Sequence, residues 1–418
     1  MGCTAKGLKI ISAHWRIPVE KLAPVRTDTV SVNRFIKVPM NILRILFGKR
    51  ARKVPFSTLS EILRMRLGSQ RLSFQEYIDY RLHELDDLGI EERSKFLGNG
   101  RKFRLNYVCN DPHWFMLGKK LPMTLFMMAT GLPMPKIHAV YDLSGRNLPG
   151  SITLSNIDEA ATYLRTPQHY PLFAKPSHGA YGWSAFGLEN YQPESDRIIF
   201  LNGQQYKVIE WLESLNPEFA QGILFQELLR PHPEIVHICG PRVSSVRVTS
   251  ARISGKNTIV SAVWRIPTGS NMVDNFQHGT SGNFLGGVDT ANGQITRVVS
   301  NLNGRVEPVS THPDTGEQFD QYTLPDWPQV IEICERAANY LMGMNLHHWD
   351  IALTERGPVI LENNEIADLD LHQHANRKGF WSEEIETVRR QSYPRYWERL
   401  SWSQKKLANL IRKVDVFF

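Results

Sequence analysis

Apolar and polar residues follow two different periods along this chain, and the change falls near residue 136. Before it, apolar positions recur at helical spacing, as in Leu59, Ile62 and Met65, and this spacing predicts helices. After it, short β-rich runs alternate with turns and helical stretches. The pattern therefore predicts a mostly helical N-terminal region followed by a larger α+β part.

Hydrophobic runs bounded by turn residues predict seven strands, four of which form two hairpins. The turns Ser254-Gly255-Lys256-Asn257 and Thr354-Glu355-Arg356-Gly357 join the strands of these hairpins. Helices are predicted at 206–215, at 327–344 and, as an amphipathic tail that ends basic, at 397–418. The predicted strands are 170–175, 197–201, 223–228, 245–253, 258–266, 348–353 and 358–362.

Composition narrows the class of protein. The chain has 418 residues, of which 42% are hydrophobic and 22% charged, and this balance excludes long disorder and coiled coil. No uninterrupted run of about 18 apolar residues occurs, so we expect a cytoplasmic protein without a membrane span. The four cysteines, Cys3, Cys109, Cys239 and Cys334, lack metal-ligand spacing and are expected to be reduced thiols.

Positive charge is concentrated in the N-terminal region. Residues 1–120 hold 23 Lys and Arg against 11 Asp and Glu, although the whole chain carries a net charge of +7. Within this region, segment 42–53 joins a short apolar stretch to a basic cluster. That segment fits either the solvated end of a core helix or a peripheral contact with the inner face of an anionic membrane. Nucleic acid is not expected as a partner, because aromatic residues are not interleaved with the basic ones.

A lysine at the end of a strand gives the first indication of phosphate chemistry. Neither a P-loop nor a dinucleotide fingerprint occurs, but an apolar strand ends at Lys175 and the loop after it contains Gly179 and Gly182. A lysine on a strand is a fixed positive charge, and the glycines let backbone N–H groups approach phosphate oxygens. An ordinary surface lysine before a turn has the same pattern.

A second strand end offers polar groups suited to adenine. The apolar run 223–229 contains Gln226 and Glu227. Such a strand end can present Glu227 and neighbouring backbone groups to the amine and ring nitrogen of adenine, and Glu234 is close enough in sequence to reach a ribose. A buried strand that simply ends in polar residues explains the same sequence.

The third and most specific signal is a set of oxygen-bearing side chains on the second hairpin. Glu362 and Asn364 are two residues apart and so project to the same face of a strand, and the paired strand can present Asp350 beside them. Two carboxylates and an amide oxygen are hard ligands of the kind that Mg²⁺ accepts. Since two neighbouring carboxylates repel each other, a bound cation explains their clustering better than two solvated acids do.

In this order, the three signals resemble the ATP-grasp superfamily over residues 105–390, and more narrowly the sugar-transfer-associated ATP-grasp proteins of bacterial surface-polysaccharide systems. The resemblance implies an α+β fold in which two lobes clasp ATP, preceded by the helical basic region. The segments that carry the narrower resemblance are 225–229, 231–235, 245–249, 273–276, 286–289 and 349–353.

The resemblance also implies roles for these residues. Lys175, with Lys119 or Lys120, would hold the α- and β-phosphates of ATP, and loop 177–184 would cover them as a lid. Gln226 and Glu227, together with the backbone at Leu229, would contact adenine, and Glu234 would bind the ribose. Asp350, Glu362 and Asn364 would hold Mg²⁺.

The implied reaction is ATP-dependent activation of a carboxylate as an acyl phosphate, followed by attack of an amine. Many ATP-grasp ligases have an arginine two residues before the metal-binding aspartate, but here that position is His348. Arg247 and Arg265 are the substitutes for stabilising the oxyanion, and all three residues are predicted to be catalytic. The small-molecule carboxylate and amine are expected near a polar loop that contains Asp274, Asn275, His278, Gly279 and Ser281. Another wall of the same cleft would be formed by Asp368, His372 and His374. The alternatives are phosphoryl transfer to a sugar hydroxyl and a non-catalytic nucleotide-binding scaffold at the membrane.

Five regions are predicted along the chain. They are a helical basic region (1–104), a pre-ATP-grasp segment (105–165), a central lid subdomain (166–230), a C-terminal subdomain with the metal site (231–390) and an amphipathic tail (391–418).

Overall fold

The computed structural model describes most of the chain after residue 55. The described residues are 56–84, 88–146, 148–178, 185–215, 222–269, 271, 273–302 and 305–412. Segment 42–53 and the lid glycines Gly179 and Gly182 lie outside them, so the predictions made for these residues stay predictions. From Ser57 onward the chain belongs to one unit.

Twelve helices and fourteen strands are assigned within the described residues. The helices are α1 (Phe56–Leu67), α2 (Phe74–Asp79), α3 (Ile90–Ser94), α4 (Arg101–Cys109), α5 (Lys120–Ala129), α6 (Ile157–Leu164), α7 (Val208–Ser214), α8 (Pro233–Cys239), α9 (Trp327–Tyr340), α10 (Asp370–Asn376), α11 (Glu383–Arg399) and α12 (Trp402–Arg412). The strands are β1 (Ile137–Tyr141), β2 (Ile152–Leu154), β3 (Leu172–Pro176), β4 (Phe186–Gln192), β5 (Arg197–Phe200), β6 (Gln205–Lys207), β7 (Ile223–Glu227), β8 (Ser245–Ile253), β9 (Lys256–Ile266), β10 (Phe284–Val288), β11 (Ile295–Leu302), β12 (Arg305–Val309), β13 (Leu346–Thr354) and β14 (Gly357–Asn363).

The strands form two seven-stranded sheets. The first has the order β2-β1-β7-β3-β4-β5-β6, and the second has the order β12-β11-β10-β9-β8-β13-β14. Only the β1–β2 pair is parallel among the described strands. Helices α6 and α7 cover the first sheet around Trp211 and Phe225. The second sheet is covered on both faces, by α9 around Trp264 and Trp349 on one side and by α10 and α11 around Val263, Leu285 and Leu346 on the other.

The predicted strands and hairpins are confirmed, with small changes at their ends. Strands β8 and β9 are joined through Ser254 and Gly255, both with positive φ, so the turn is tighter than the four residues predicted. Helix α9 ends at Tyr340, four residues before the predicted end, and Tyr206 lies in strand β6 rather than in the following helix. The predicted C-terminal helix is divided between α11 and α12.

Three of the predicted region boundaries divide structural elements, and the first of them, 104/105, lies within α4. Strand β1 pairs with β7, so residues on both sides of the 165/166 boundary share one sheet. The 390/391 boundary lies within α11. Helix α4 packs against the second sheet through Leu105, which lies in a cluster with Ala251 and Leu346. The helical segment before residue 105 thus continues directly into the α+β part.

No helix in the described part of the chain is both long and apolar enough to cross a membrane.

Two glycines with nearly equal backbone angles allow a controlled test of core packing. Gly293 has φ 79° and Gly316 has φ 77°, so alanine is strained at both. A Cβ at Gly293 would lie 2.6 Å from Cγ of the buried Trp327, whereas a Cβ at Gly316 would meet open space. We expect Gly293→Ala to lower the free energy of unfolding by about 1–3 kcal/mol more than Gly316→Ala, as measured by urea denaturation. Equal losses would contradict this packing.

Candidate active site

One large cleft brings together residues of both sheets. Its volume is about 1540 Å³, and its lining includes Lys175 of the first sheet together with Asp350 and Glu362 of the second. Side chains that are far apart in sequence therefore face a common space large enough for a nucleotide and a second small molecule.

The first sheet contributes a buried lysine. Along β3, Leu172 and Ala174 point into the core, so the alternation of side chains turns Phe173 and Lys175 toward the cleft. The pKa of Lys175 is lowered to about 8, mainly by burial and to a smaller extent by nearby Lys120, although the Glu362 carboxylate opposes the shift. Burial also lowers the pKa of Lys120, which begins helix α5. A multiply charged anion would relieve the repulsion between these ammonium groups.

The second sheet presents three charged side chains in a row. The register places Asp350 of β13 directly opposite both Arg247 of β8 and Glu362 of β14, as the sequence predicted for the Asp350–Glu362 pair. Arg247 donates from Nε to Asp350 Oδ1 (2.7 Å) and from Nη2 to Asp350 Oδ2 (2.8 Å). The two contacts form a bidentate ion pair, and the side chain of Asp350 is only 1% exposed.

A second arginine reaches the same carboxylate. Arg265 of β9 lies 3.0 Å from Asp350 Oδ2 through Nη2, and it also donates to Ser245 Oγ and Asn275 Oδ1. Asp274 accepts hydrogen bonds from the backbone N–H and the hydroxyl of Ser245, which fixes the other side of this guanidinium. These contacts therefore fix the orientation of the Arg265 guanidinium before any ligand is bound.

The two carboxyl groups of the row differ in their electrostatics. Burial alone would raise the pKa of Asp350, but Arg247 and Arg265 outweigh burial and hold the pKa well below its ordinary value. Burial raises the pKa of Glu362, and the neighbouring Asp350 carboxylate raises it further. The two groups are in contact, so a proton shared between them lies on Glu362 rather than on Asp350.

The donor set suits a hard cation, but not in the way the sequence alone suggested. A carboxylate has about four acceptor positions, and the arginine contacts occupy three of those on Asp350. What remains is the position toward Glu362, where a divalent cation can replace the shared proton. Glu362 and Asn364, which also line the cleft, are thus the main candidate ligands, and Asp350 contributes at most one position.

The residues predicted to contact adenine lie on or directly after β7 of the first sheet, across the cleft from the charged row. Gln226, Glu227 and Leu229 all line the cleft. Glu227 Oε1 accepts a hydrogen bond from the Lys136 backbone N–H (2.8 Å) and is paired with Arg356. These contacts occupy Oε1, so the groups this segment can offer to an adenine edge are Glu227 Oε2 and the backbone after β7.

Several predicted site residues do not line the cleft. Glu234 lies on the exposed first turn of α8, whose Pro233 and Val236 face the cleft instead. Gly279 and Ser281 stabilise their own loop, where the Ser281 hydroxyl donates to the Phe276 carbonyl. The His278 side chain lies outside the described residues. Asp274 and Asn275, from the same predicted set, do line the cleft.

His348 is also misplaced as a catalytic candidate, because it is fully buried behind the charged row. Thr249 Oγ1 lies 3.0 Å from His348 Nδ1 and 3.1 Å from His372 Nε2. The chain of contacts ends at Asn106 Oδ1 on His348 Nε2 and at Ser261 Oγ on His372 Nδ1. Since the amide oxygen can only accept, His348 Nε2 donates to it, and two neutral histidines with Nε2 donating and Nδ1 accepting satisfy every contact of the chain. Burial also lowers the pKa of both histidines, so this network is a structural support.

Some charged cleft residues carry no signal in the sequence, and Lys102 is an example. Lys102 of α4 pairs with Asp368, and both line the cleft. The lysine lies in the region expected to be separate, and 266 positions separate it from its partner. No local signal marks such a pair. His372 and His374, predicted with Asp368 as a wall, are not among the cleft residues in the described part of the chain.

Comparison with known families identifies the fold. The model of the sugar-transfer-associated ATP-grasp family matches residues 110–389. The chain belongs to this family. Membership confirms the predicted α+β ATP-grasp fold and, at the level of the family, ATP with Mg²⁺ as cofactors.

Solved structures with a similar chain path are distant in sequence. D-alanyl-alanine synthetase A from Vibrio cholerae is 13% identical, with 71% of this chain and 65% of that chain covered and a TM-score of 0.34. Biotin carboxylase from Campylobacter jejuni is 11% identical, with 66% and 46% covered and a TM-score of 0.39. The chain spans less than two thirds of the length of either protein. No curated protein matches the chain.

The different electrostatics of the two carboxyl groups predict unequal effects on stability. Asp350→Asn leaves Arg247 and Arg265 buried without their counter-charge, so we expect it to lower the free energy of unfolding by about 3–5 kcal/mol. Glu362→Gln is its matched control and should cost about 1 kcal/mol or less, the net contribution of an ordinary hydrogen bond. Urea denaturation at pH 7 measures both, and equal losses would contradict the assignment of the charge to Asp350.

Proposed function

We propose that the protein is an ATP- and Mg²⁺-dependent ligase that joins a carboxylate to an amine through an acyl phosphate, with release of ADP. The observation that carries the proposal is that Lys175 on one sheet, and Glu362 with Asn364 on the other, line the same cleft. A triphosphate bound there meets a fixed positive charge on one side and cation ligands on the other.

The residues around the charged row suit the chemistry of acyl activation. Lys175 and Lys120 would hold phosphate oxygens, and Glu362 and Asn364 would hold Mg²⁺, which when bound offsets negative charge on the transferred phosphoryl group. Arg247 and Arg265 lie next to this point, and their guanidinium groups are already oriented by Asp350 and Ser245. They would hold the acceptor carboxylate and then its oxyanion without reorganising.

In the proposed reaction, a carboxylate oxygen attacks the γ-phosphorus of ATP and ADP leaves. The amine nitrogen then attacks the acyl carbon, and inorganic phosphate leaves with the carboxylate oxygen. The described cysteines give no support for a covalent alternative: Cys109, Cys239 and Cys334 are free and buried, and burial raises the pKa of Cys109 and Cys239 to about 12. Holding two substrates in place is itself worth about 7–11 kcal/mol of the barrier.

We further propose a role in surface-polysaccharide or secondary-metabolite biosynthesis, with a small-molecule carboxylate and amine as substrates. The family description, which associates these proteins with sugar transfer, is what supports the first of these pathways. We also propose that segment 42–53 contacts an anionic membrane, and this proposal does not depend on the ligase activity.

Trapping with hydroxylamine tests the reaction type. Hydroxylamine and ATP are supplied with candidate sugar acids or amino acids, and hydroxamate is measured together with ADP. We expect hydroxamate to form with the correct carboxylate and to fall by at least about 100-fold in Glu362→Gln, while ATP binding is largely kept. ADP release with a phosphorylated sugar and no hydroxamate would instead identify a phosphotransferase, and ATP binding without turnover a scaffold.

The buried lysine predicts how nucleotide affinity depends on pH. The pKa of Lys175 is about 8 in the free protein and must rise when phosphates bind next to it. The dissociation constant for ATP should therefore be flat below pH 8 and increase by up to about tenfold per pH unit above it. In Lys175→Arg, which stays charged, the increase should be much smaller, because the group that titrates near pH 8 has been removed. Isothermal titration calorimetry from pH 6.5 to 9.5 measures both, and parallel profiles would exclude Lys175 from the phosphate site.

A further inference from the structure

Two smaller cavities lie beside helix α10, outside the residues assigned to ATP. Their volumes are about 400 Å³ and 290 Å³, and both are lined by Tyr80, Arg81 and His374. Asp370 lines both the larger of the two and the main cleft. The three spaces therefore follow one another along the helix, and we call the two smaller ones together the α10 groove.

The spacing of residues on α10 shows the direction of the groove. Asp370, His374 and Arg377 are separated by four and three positions, so they follow one side of the helix. Asp370 lies at the end next to the cleft, and Arg377, directly after the helix, lines only the far cavity of the two. At a rise of 1.5 Å per residue, the two ends are about 10 Å apart.

The far end of the groove is rich in arginine. Arg81, Arg297 and Arg377 all line the cavity of 290 Å³, against the carboxylates of Asp79 and Glu84, of which Glu84 is bound to Arg81. Burial lowers the pKa of Arg297, and repulsion from Arg377 and Arg81 lowers it further. Three guanidinium groups this close favour an anion between them, and planar guanidinium suits the oxygens of a phosphate.

The middle of the groove is lined by neutral and acidic hydrogen-bonding groups. Glu76, Asp79, Asn99 and Asn301 line it together with Tyr80. Tyr80 is only 6% exposed, and its hydroxyl makes only a distorted hydrogen bond, to the side chain of Gln373, within the described residues. Buried hydroxyl groups are normally satisfied, so this one is suited to a polar ligand. Carboxylate and amide groups of this kind bind the hydroxyls of a sugar.

Backbone strain is concentrated at the arginines of the far end. Arg81 has φ 56° and Arg377 has φ 49°, in the left-handed region. Arg377 occupies the position after a helix where glycine is preferred. Each costs about 1 kcal/mol or more relative to glycine, and such strain is often found where a side chain serves a ligand.

We propose that the α10 groove binds a phosphorylated sugar, with the phosphate between Arg297 and Arg377 and the hydroxyls against the acidic and amide groups of its middle. The sugar then extends past Asp370 toward the cleft. That this ligand is a substrate of the ligase rests on the proposed function, whereas its binding does not.

Calorimetry with glucosamine 6-phosphate as the probe tests the site. The main cleft is first saturated with Mg²⁺ and a non-hydrolysable ATP analogue. We expect the probe to bind at least about tenfold more tightly than either glucosamine or inorganic phosphate, and to lose about tenfold or more of its affinity in Arg377→Gly and in Arg297→Gln. Arg336→Gln, which removes a half-exposed arginine of α9 elsewhere in the same unit, is the matched control and should bind the probe like the parent.

Arg377→Gly also separates loss of binding from loss of folding. Glycine is favoured at this φ, so the variant should keep its circular dichroism spectrum and cooperative melting even if Arg297→Gln does not. Unchanged affinity in Arg377→Gly, no binding of the probe while the ATP analogue fills the main cleft, or equal binding of inorganic phosphate would each overturn the proposal. The hydroxylamine assay is independent: hydroxamate without probe binding would refute the groove alone, and probe binding without hydroxamate would refute the ligase alone.

Discussion

The paired charges of Arg247 and Asp350 are the constraint on which the rest of the cleft depends. A carboxylate that is 1% exposed persists as an anion only because two arginines donate to it. Strand register makes this possible, since it places Arg247, Asp350 and Glu362 directly opposite one another on three adjacent strands. The pair in turn pushes the shared proton onto Glu362, and that proton marks the place where a cation can enter.

The same constraint divides the cleft into two functional halves. On the first sheet, Lys175 is buried near another lysine and loses charge at a lower pH than an ordinary lysine. On the second, the arginines are already neutralised by carboxylates, so they orient ligands more than they attract them. Nucleotide binding would therefore draw its electrostatic free energy mainly from Lys175 and from the cation, and acceptor binding mainly from preoriented hydrogen-bond donors.

Sequence reasoning succeeded where local pattern determines structure. The hairpins carrying Arg247 and Asp350 follow from alternating apolar runs and short turns, and the pairing of Asp350 with Glu362 follows from antiparallel geometry. Sequence reasoning failed where tertiary contacts determine the environment of a side chain. Whether the side chain of His348 faces a cleft or a buried network depends on Thr249 and His372, which come from other elements. The Lys102–Asp368 pair joins the helical region to the other end of the chain and leaves no periodic signal.

The most direct test of this account is a crystal structure of the protein with Mg²⁺ and a non-hydrolysable ATP analogue. We predict the triphosphate beside the Lys175 ammonium group, with Mg²⁺ bound by Glu362 and Asn364 and the two hydrogen bonds between Arg247 and Asp350 intact. A triphosphate remote from Lys175, or a cation without an oxygen ligand from either Glu362 or Asn364, would contradict it.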